Sequence, residues 1–200
     1  MAVLGHLIGR VDQLIIGGGM ANTFLFALSF DVGQSLCEQD MAKQAREIME
    51  KAAAEGCEVV LPVDVVVADK FVEGAPSEIV PVGVVPADSM ILDIGPASIN
   101  HLKQRLSGCK TVVWNGPLGA FEISPFDIGT NAVARETARA DDLGHAQRHL
   151  HGVLRALGHP VQLQQKPIIE AFHVPDGQHR LKGRFFLLLP DRPSIAFGKV

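Results

Sequence analysis

The sequence has few cysteines, no excess of positive charge and no long apolar run. Its three cysteines are odd in number and far apart, which favours reduced thiols in a cytosolic protein over a disulfide framework. No apolar stretch approaches the roughly 18 residues that a membrane helix needs, and residues 1–10 do not resemble a secretory signal. The formal net charge of −4 gives no electrostatic reason to expect nucleic acid or an anionic membrane as a partner. We therefore predict a cytoplasmic protein.

Short apolar runs alternate with helical patterns over the first 140 residues. The runs are apolar on both faces, which is typical of strands in a parallel sheet covered by helices on both sides. We predict an α/β fold with a doubly wound, Rossmann-like parallel sheet. Predicted strands lie at residues 13–16, 59–67, 90–94 and 111–114, and predicted helices at residues 38–55, 99–106 and 131–140.

The character of the chain changes after Arg139. Residues 1–140 hold 10 basic and 17 acidic side chains, a net of −7, whereas residues 141–200 hold 8 and 5, a net of +3. Six of the eight histidines lie between His145 and His179. We predict an incomplete nucleotide-binding-type domain over residues 1–140 and an unassigned, divergent tail over 141–200. A second domain, an appended tail and a stretch translated out of frame are all compatible with this composition.

The tail contains two candidate features, a pair of apolar runs and a pair of histidines. Residues 161–166 and 185–189 are possible short strands, but the sequence suggests no pairing with the earlier sheet. His145 and His149 have the i, i+4 spacing of helical metal ligands. No acidic residue completes the ligand set nearby, so we predict no metal site there.

Glycines follow the first predicted strand. Gly17-Gly18-Gly19 precedes a helical pattern, where glycines allow close approach of a ligand or tight packing of strand and helix. The segment is neither a G-x-G-x-x-G fingerprint nor a Walker loop. Both interpretations remain open from these residues alone, with packing favoured.

A second turn follows the strand at residues 111–114, which ends in the only tryptophan, Trp114. Asn115 and Glu122 flank a turn rich in glycine and proline, at the carboxyl end of a strand, where parallel sheets bind ligands. An amide can donate to phosphate oxygens and a carboxylate can accept from ribose hydroxyls. Ordinary turn chemistry explains the same residues equally well.

Two acidic residues lie beside predicted strand ends. Asp64 follows Leu61-Pro62-Val63, and Asp93 follows Leu92. Either carboxylate could hold a helix N-terminus or lie near the binding crevice. We leave both unassigned at this stage.

Taken together, these segments resemble the phosphoglycerate kinase family, specifically its C-terminal nucleotide-binding domain. The resemblance extends over residues 3–139. The matching segments, in family order, are residues 17–25, 32–36, 61–64, 90–96, 114–122 and 129–130.

The resemblance implies an adenine-nucleotide site that uses ATP or ADP with Mg²⁺. Gly18 and Gly19 would form a flat wall against adenine, with Leu36 and Leu92 packing on the base. In the same family pattern, Pro117 would line the nucleoside site, Asn115 would reach toward the phosphates and Glu122 would bind the ribose hydroxyls.

The resemblance also implies a reaction, the reversible transfer of phosphate between 1,3-bisphosphoglycerate and ADP in glycolysis. The family's substrate domain, its phosphate-binding lysine and its magnesium-binding Gly-Gly-Asp-Thr motif find no counterpart in this sequence. We therefore predict no catalytic and no metal-ligating residue here, and an inactive fragment of a kinase that is usually monomeric. The alternative is a non-catalytic nucleotide-binding module or an inert, truncated or frameshifted remnant.

Overall fold

The computed structural model describes residues 2–109, 111–142, 147–151 and 184–188. Helices and strands alternate along most of this length, as the sequence predicts. The helices are α1 (Ala2–Leu7), α2 (Gly18–Ala27), α3 (Ala42–Glu55), α4 (Pro96–Ser107) and α5 (Ile128–Asp142). The strands are β1 (Gln13–Ile16), β2 (Glu58–Val60), β3 (Asp64–Ala68), β4 (Glu78–Pro81), β5 (Met90–Ile94), β6 (Thr111–Asn115), β7 (Gln147–His151) and β8 (Arg184–Leu188).

The main sheet has five strands in the order β2-β1-β8-β6-β7, and every pairing in it is parallel. Helices cover both of its faces. Leu14 and Ile16 of β1 pack with α1, α2 and α3, whereas Ile15 packs with α4 and α5 on the other face. Because successive strand residues point to opposite faces, a strand buried on both sides must be apolar throughout. The predicted α/β class with a parallel sheet is confirmed.

One predicted strand is in fact two. The apolar run at residues 59–67 forms β2 and then β3, separated at Leu61, Pro62 and Val63. Pro62 has no N–H to donate to a ladder, so the pairing stops there. Only β2 joins the main sheet, by pairing with β1.

The other part of that run belongs to a second sheet. β3 pairs antiparallel with β4 and with β5, in the order β4-β3-β5. The prediction that β5 joins the parallel sheet is therefore wrong. Both kinds of sheet bury valine and isoleucine runs, so composition did not separate them. This small sheet carries Leu92, one of the predicted site residues.

The tail contributes two strands to the main sheet. β8 lies between β1 and β6, with Leu14 and Val113 both opposite Phe186. The expectation that nothing pairs this segment with the earlier sheet is corrected. The possible strand at 161–166 lies outside the described residues.

β7 forms the edge of the main sheet beyond β6 and contains His149 and His151. Because β7 is a strand, the helical spacing argument does not apply to His149. His145 lies outside the described residues.

The helix signals in the sequence are reproduced closely. α3 ends at Glu55, and Gly56 follows with a left-handed φ of 69°, the conformation that glycine adopts most readily. α4 begins earlier than predicted, at Pro96, since proline is well accommodated in a first helical turn. Cys37, Cys57 and Cys109 form no disulfide, and Cys57 and Cys109 are buried. Among the described residues, no helix is long and apolar enough to cross a membrane.

Candidate functional site

The candidate site lies where β1 and β6 end and lead into their following turns. β1 ends at Ile16 and is followed by Gly17 and the start of α2. β6 ends at Asn115, where the structure describes the backbone alone, and is followed by residues 116–122, which we call the Gly-Pro loop. The carboxyl ends of parallel strands form the usual ligand-binding edge of an α/β sheet.

The three glycines after β1 have different local roles. Gly17 is buried, and a Cβ there would lie 2.6 Å from Leu118 Cδ2, so this position is used for close packing. Gly18 has a left-handed φ of 59° and donates its N–H to the Leu118 carbonyl oxygen at 3.0 Å. Gly19 is partly exposed, and a Cβ there would touch Leu36 Cδ2 at 3.0 Å. The packing interpretation therefore holds for Gly17, while Gly18 and Gly19 leave backbone accessible.

Leu36 lies beside Gly19 with 57% of its surface exposed. The amide of Asn22 in α2 donates to the Leu36 carbonyl oxygen at 3.1 Å. The hydroxyl of Ser35 accepts from the Ile91 N–H of β5 at 2.8 Å. The Leu36 side chain is thus exposed to solvent on a segment that is hydrogen-bonded to both α2 and β5.

Leu92 connects β5 to the Gly-Pro loop. Its carbonyl oxygen accepts from the Ala120 N–H at 2.7 Å, and its side chain is partly buried. A Cβ at Gly119 would lie 2.6 Å from the same carbonyl oxygen, so only glycine permits this approach. Pro117 is partly buried. Glu122 is exposed and lies two residues after Ala120, which bonds to Leu92.

These contacts bring most of the predicted residues to one edge of the molecule. Gly18 contacts the Gly-Pro loop through Leu118, Gly19 contacts Leu36, and Leu92 contacts the loop through Ala120. A small cavity nearby, between β1, β2, β5 and α4, is lined by apolar residues, Ser98 and His101, and by none of the predicted site residues. The predicted site residues therefore lie outside that cavity, which reaches the Gly-Pro loop through Leu118.

Each acidic residue left unassigned above holds a helix N-terminus. Asp64 accepts from the N–H groups of Ala97 and Ser98, at 2.9 and 2.7 Å, in the first turn of α4. Asp93 accepts from the Gly129 N–H at 2.6 Å, in the first turn of α5. A carboxylate is favourable there because the helix dipole places partial positive charge at its N-terminus.

Asp93 differs from Asp64 in its burial, with only 2% of its surface exposed. Burial raises the pKa of the Asp93 carboxyl group to about 7, against the opposing hydrogen bonds from Gly129 and Ile94, and the nearby Asp127 raises it further. This carboxyl group is adjacent to Leu92 in β5 and touches Gly119 of the Gly-Pro loop.

Sequence reasoning missed the side chains that join these pieces. Asn22, Ser35 and Thr130 are polar residues that bond the backbone of a neighbouring segment. Thr130, at the start of a helix, carried a weak signal, because hydroxyl residues favour such positions. Asn22 lies inside α2 and carried none, since its partner is 14 residues away.

The surface that these residues form combines backbone, apolar and acidic groups. It offers bare glycine backbone, an exposed leucine and an exposed carboxylate, which suit a flat base and a ribose. Within the part of the chain that the structure describes, no three His, Cys, Asp or Glu residues are grouped to hold a metal ion.

Comparison with known proteins shows the family of this chain. The family model described as phosphoglycerate kinase matches residues 1–148. The chain is 58% identical over 144 residues to a phosphoglycerate kinase of Dinoroseobacter shibae, covering 72% of this chain and 37% of that protein. It is 59% identical over 132 residues to one of Rhodospirillum centenum, covering 66% and 33%. The chain thus spans about a third of the length of these relatives.

Solved structures give the same result. Phosphoglycerate kinase from Coxiella burnetii superposes with a TM-score of 0.67 at 42% identity, covering 68% of this chain and 35% of that one. The enzyme from Pyrococcus horikoshii superposes with a TM-score of 0.59 at 26% identity, covering 69% and 36%. Since the family model accounts for well over half of the sequence, the chain belongs to the phosphoglycerate kinase family.

Proposed function

We propose that this chain carries the adenine-nucleotide site of a phosphoglycerate kinase, within the C-terminal nucleotide-binding domain of that family. One observation supports this most directly: the start of α2, the Leu36 segment and the Gly-Pro loop meet at the carboxyl edge of the sheet. The nucleotide-binding residues would all lie within 1–140, and the divergent tail, residues 141–200, would add β7 and β8 to the same sheet.

In this proposal the base lies against Gly18 and Gly19. Without side chains, these residues present flat peptide surface to an aromatic ring. Leu36, exposed beside Gly19, would cover the base from one side and Leu92 from another. Burial of Leu36 by the base would remove apolar surface from water, which favours binding by roughly 25 cal/mol per Å².

The sugar and phosphates would follow the Gly-Pro loop. Pro117 lines the nucleoside side, and the Glu122 carboxylate accepts hydrogen bonds from the ribose hydroxyls, as acidic residues do in dinucleotide-binding folds. Asn115, the last residue of β6, would donate an amide N–H to the phosphates.

The reaction proposed for the whole protein is the glycolytic transfer of phosphate from 1,3-bisphosphoglycerate to ADP. Bound Mg²⁺ would neutralise charge on the nucleotide phosphates during transfer. We propose that this chain contributes nucleotide binding and not turnover, as a cytoplasmic monomer with small-molecule ligands only.

The test is calorimetric titration of the chain with ADP. We expect ADP binding that weakens about tenfold in Glu122→Gln, which loses the charged acceptor, and in Leu36→Ala, which loses the apolar cover. Gly19→Ala should weaken binding similarly, because its new methyl group would meet Leu36 Cδ2 at 3.0 Å and displace the side chain that covers the base.

Matched controls are available among exposed residues that are not predicted to bind the nucleotide. Glu50→Gln alters an exposed acidic residue of α3, and Val84→Ala alters an exposed apolar residue before β5. Both should bind ADP as the unsubstituted chain does. Equal losses of ADP affinity in the site and control variants, or no ADP binding at millimolar nucleotide, would contradict the proposed nucleotide site. Turnover in a coupled assay would contradict the proposal that the chain does not catalyse.

A further inference from the structure

Leu118, in the middle of the Gly-Pro loop, is hydrogen-bonded through both its backbone N–H and its carbonyl oxygen. Its N–H donates to the Thr130 hydroxyl at 2.9 Å, and its carbonyl oxygen accepts from the Gly18 N–H at 3.0 Å. The Leu118 side chain is itself buried against Gly17. This residue therefore connects the start of α5 to the start of α2.

Thr130 is fully buried, in the first turn of α5. A buried backbone N–H without a partner is strongly unfavourable, so the Leu118 N–H depends on this one hydroxyl. Valine has nearly the same shape as threonine but cannot accept the bond. The bond from the Leu118 N–H thus depends on a single side-chain oxygen, and it adds to the backbone bonds that Gly18 and Ala120 make to the same part of the molecule.

Asp93 fixes the same turn of α5 from the opposite side. Its two carboxylate oxygens accept from the N–H groups of Gly129, at 2.6 Å, and Ile94, at 2.8 Å. A Cβ at either Gly119 or Gly129 would overlap with Asp93 Oδ1. The carboxylate therefore fills the space between β5, the loop and α5, and only glycines allow it to do so.

We propose that Thr130 and Asp93 are positioning residues of the nucleotide site, which fix the Gly-Pro loop against Gly18 through the first turn of α5. Neither is among the residues expected to touch the nucleotide. They act by holding the loop that carries Pro117 and Glu122. The affinity arm of the test rests on the proposed function, whereas the hydrogen-exchange arm does not.

The test compares Thr130→Val with Thr130→Ser and with Thr137→Val. Thr137 is a matched control, because it is buried in the same helix and its hydroxyl donates only to the Val133 carbonyl oxygen within α5. We expect amide exchange in residues 116–122 to quicken about tenfold in Thr130→Val. It should stay near the original rate in Thr130→Ser and Thr137→Val.

ADP affinity should follow the same pattern, with about a tenfold loss in Thr130→Val and recovery in Thr130→Ser. Unchanged loop exchange in Thr130→Val, or an equal change in Thr137→Val, would overturn the inference. Failure of the unsubstituted chain to bind ADP would count against the proposed function alone, since the exchange result is read without nucleotide.

A second measurement needs no substitution, should Thr130→Val fail to fold. Residue-resolved exchange on the unsubstituted chain should show the amides of Leu118, Gly18 and Gly129 protected to a similar degree, because one connected unit must open to expose them. An unprotected Leu118 amide beside a protected Gly129 amide would overturn the inference.

Discussion

Asp93 is a buried acid whose ionisation is linked to folding. Its pKa of about 7 in the folded chain stands well above the ordinary 3.8, mainly because burial disfavours the charge. Between these two values the folded state holds a proton that the unfolded state has released. Asp93 therefore stabilises the fold most below pH 4, and this contribution is lost as the pH rises through 7.

We predict that the unfolding free energy attributable to Asp93 falls by about 1.4 kcal/mol per pH unit inside that window. The measurement is urea unfolding at pH 5, 6, 7 and 8 for the unsubstituted chain and Asp93→Asn. The unfolding free energy of the unsubstituted chain minus that of Asp93→Asn should shrink or change sign as the pH rises. The exposed Asp31→Asn serves as control, and a difference independent of pH would refute the assignment.

At the residue scale, the sequence located both acids but did not assign them. Asp64 and Asp93 each follow an apolar run, and a carboxylate there can serve a ligand or a helix. Their partners, Ser98 and Gly129, lie 34 and 36 residues further along the chain. Local patterns contain no information on which distant helix begins beside a given strand, so the choice required the packed structure.

Among the elements, α4 is held at its N-terminus by two side chains, Asp64 and Ser98. Besides the two Asp64 bonds, the Ser98 hydroxyl accepts from the Val63 and Asp64 N–H groups at 2.9 and 3.1 Å and donates to the Asp64 carbonyl oxygen at 2.8 Å. A Cβ at Gly95 would overlap with the Asp64 carboxyl group. These bonds tie α4 directly to the start of β3.

We predict that Asp64→Ala lowers the unfolding free energy by about 1–2 kcal/mol, the usual effect of losing an N-terminal cap. Thermal and urea unfolding would measure it. Glu47→Ala is the control, since it breaks only an exposed Lys43–Glu47 pair, worth about 0.5 kcal/mol or less. Equal effects of the two substitutions would show that Asp64 does not cap α4.

Element boundaries show where sequence patterns succeed. β1 was predicted to the residue, because turn residues and a run apolar on both faces delimit it. The separation of residues 59–67 into β2 and β3 was missed, because valine at both ends suggested one continuous strand. Pro62 was the visible signal, and its missing N–H proved decisive.

On the scale of the whole molecule, β8 is the least expected element. It occupies the place between β1 and β6, so two ladders depend on it. Those two strands lead directly into the glycines after β1 and the Gly-Pro loop. The sequence could not predict this placement, because a short apolar run has no pattern that names its neighbours, and the composition of the tail differs from that of residues 1–140.

This placement predicts that a break in β8 destabilises the sheet more than a break at an edge. Proline at Phe186 removes an N–H and strains a strand paired on both sides, for an expected loss of about 3 kcal/mol or more. Ile79→Pro is the comparison, because among the described strands β4 pairs only with β3. Urea unfolding followed by Trp114 fluorescence reports on β6, the direct neighbour of β8. If Phe186→Pro lowers the free energy of unfolding no more than Ile79→Pro does, β8 does not complete the sheet. In that case the Leu118 bonds hold the start of α2 and the Gly-Pro loop together without β8.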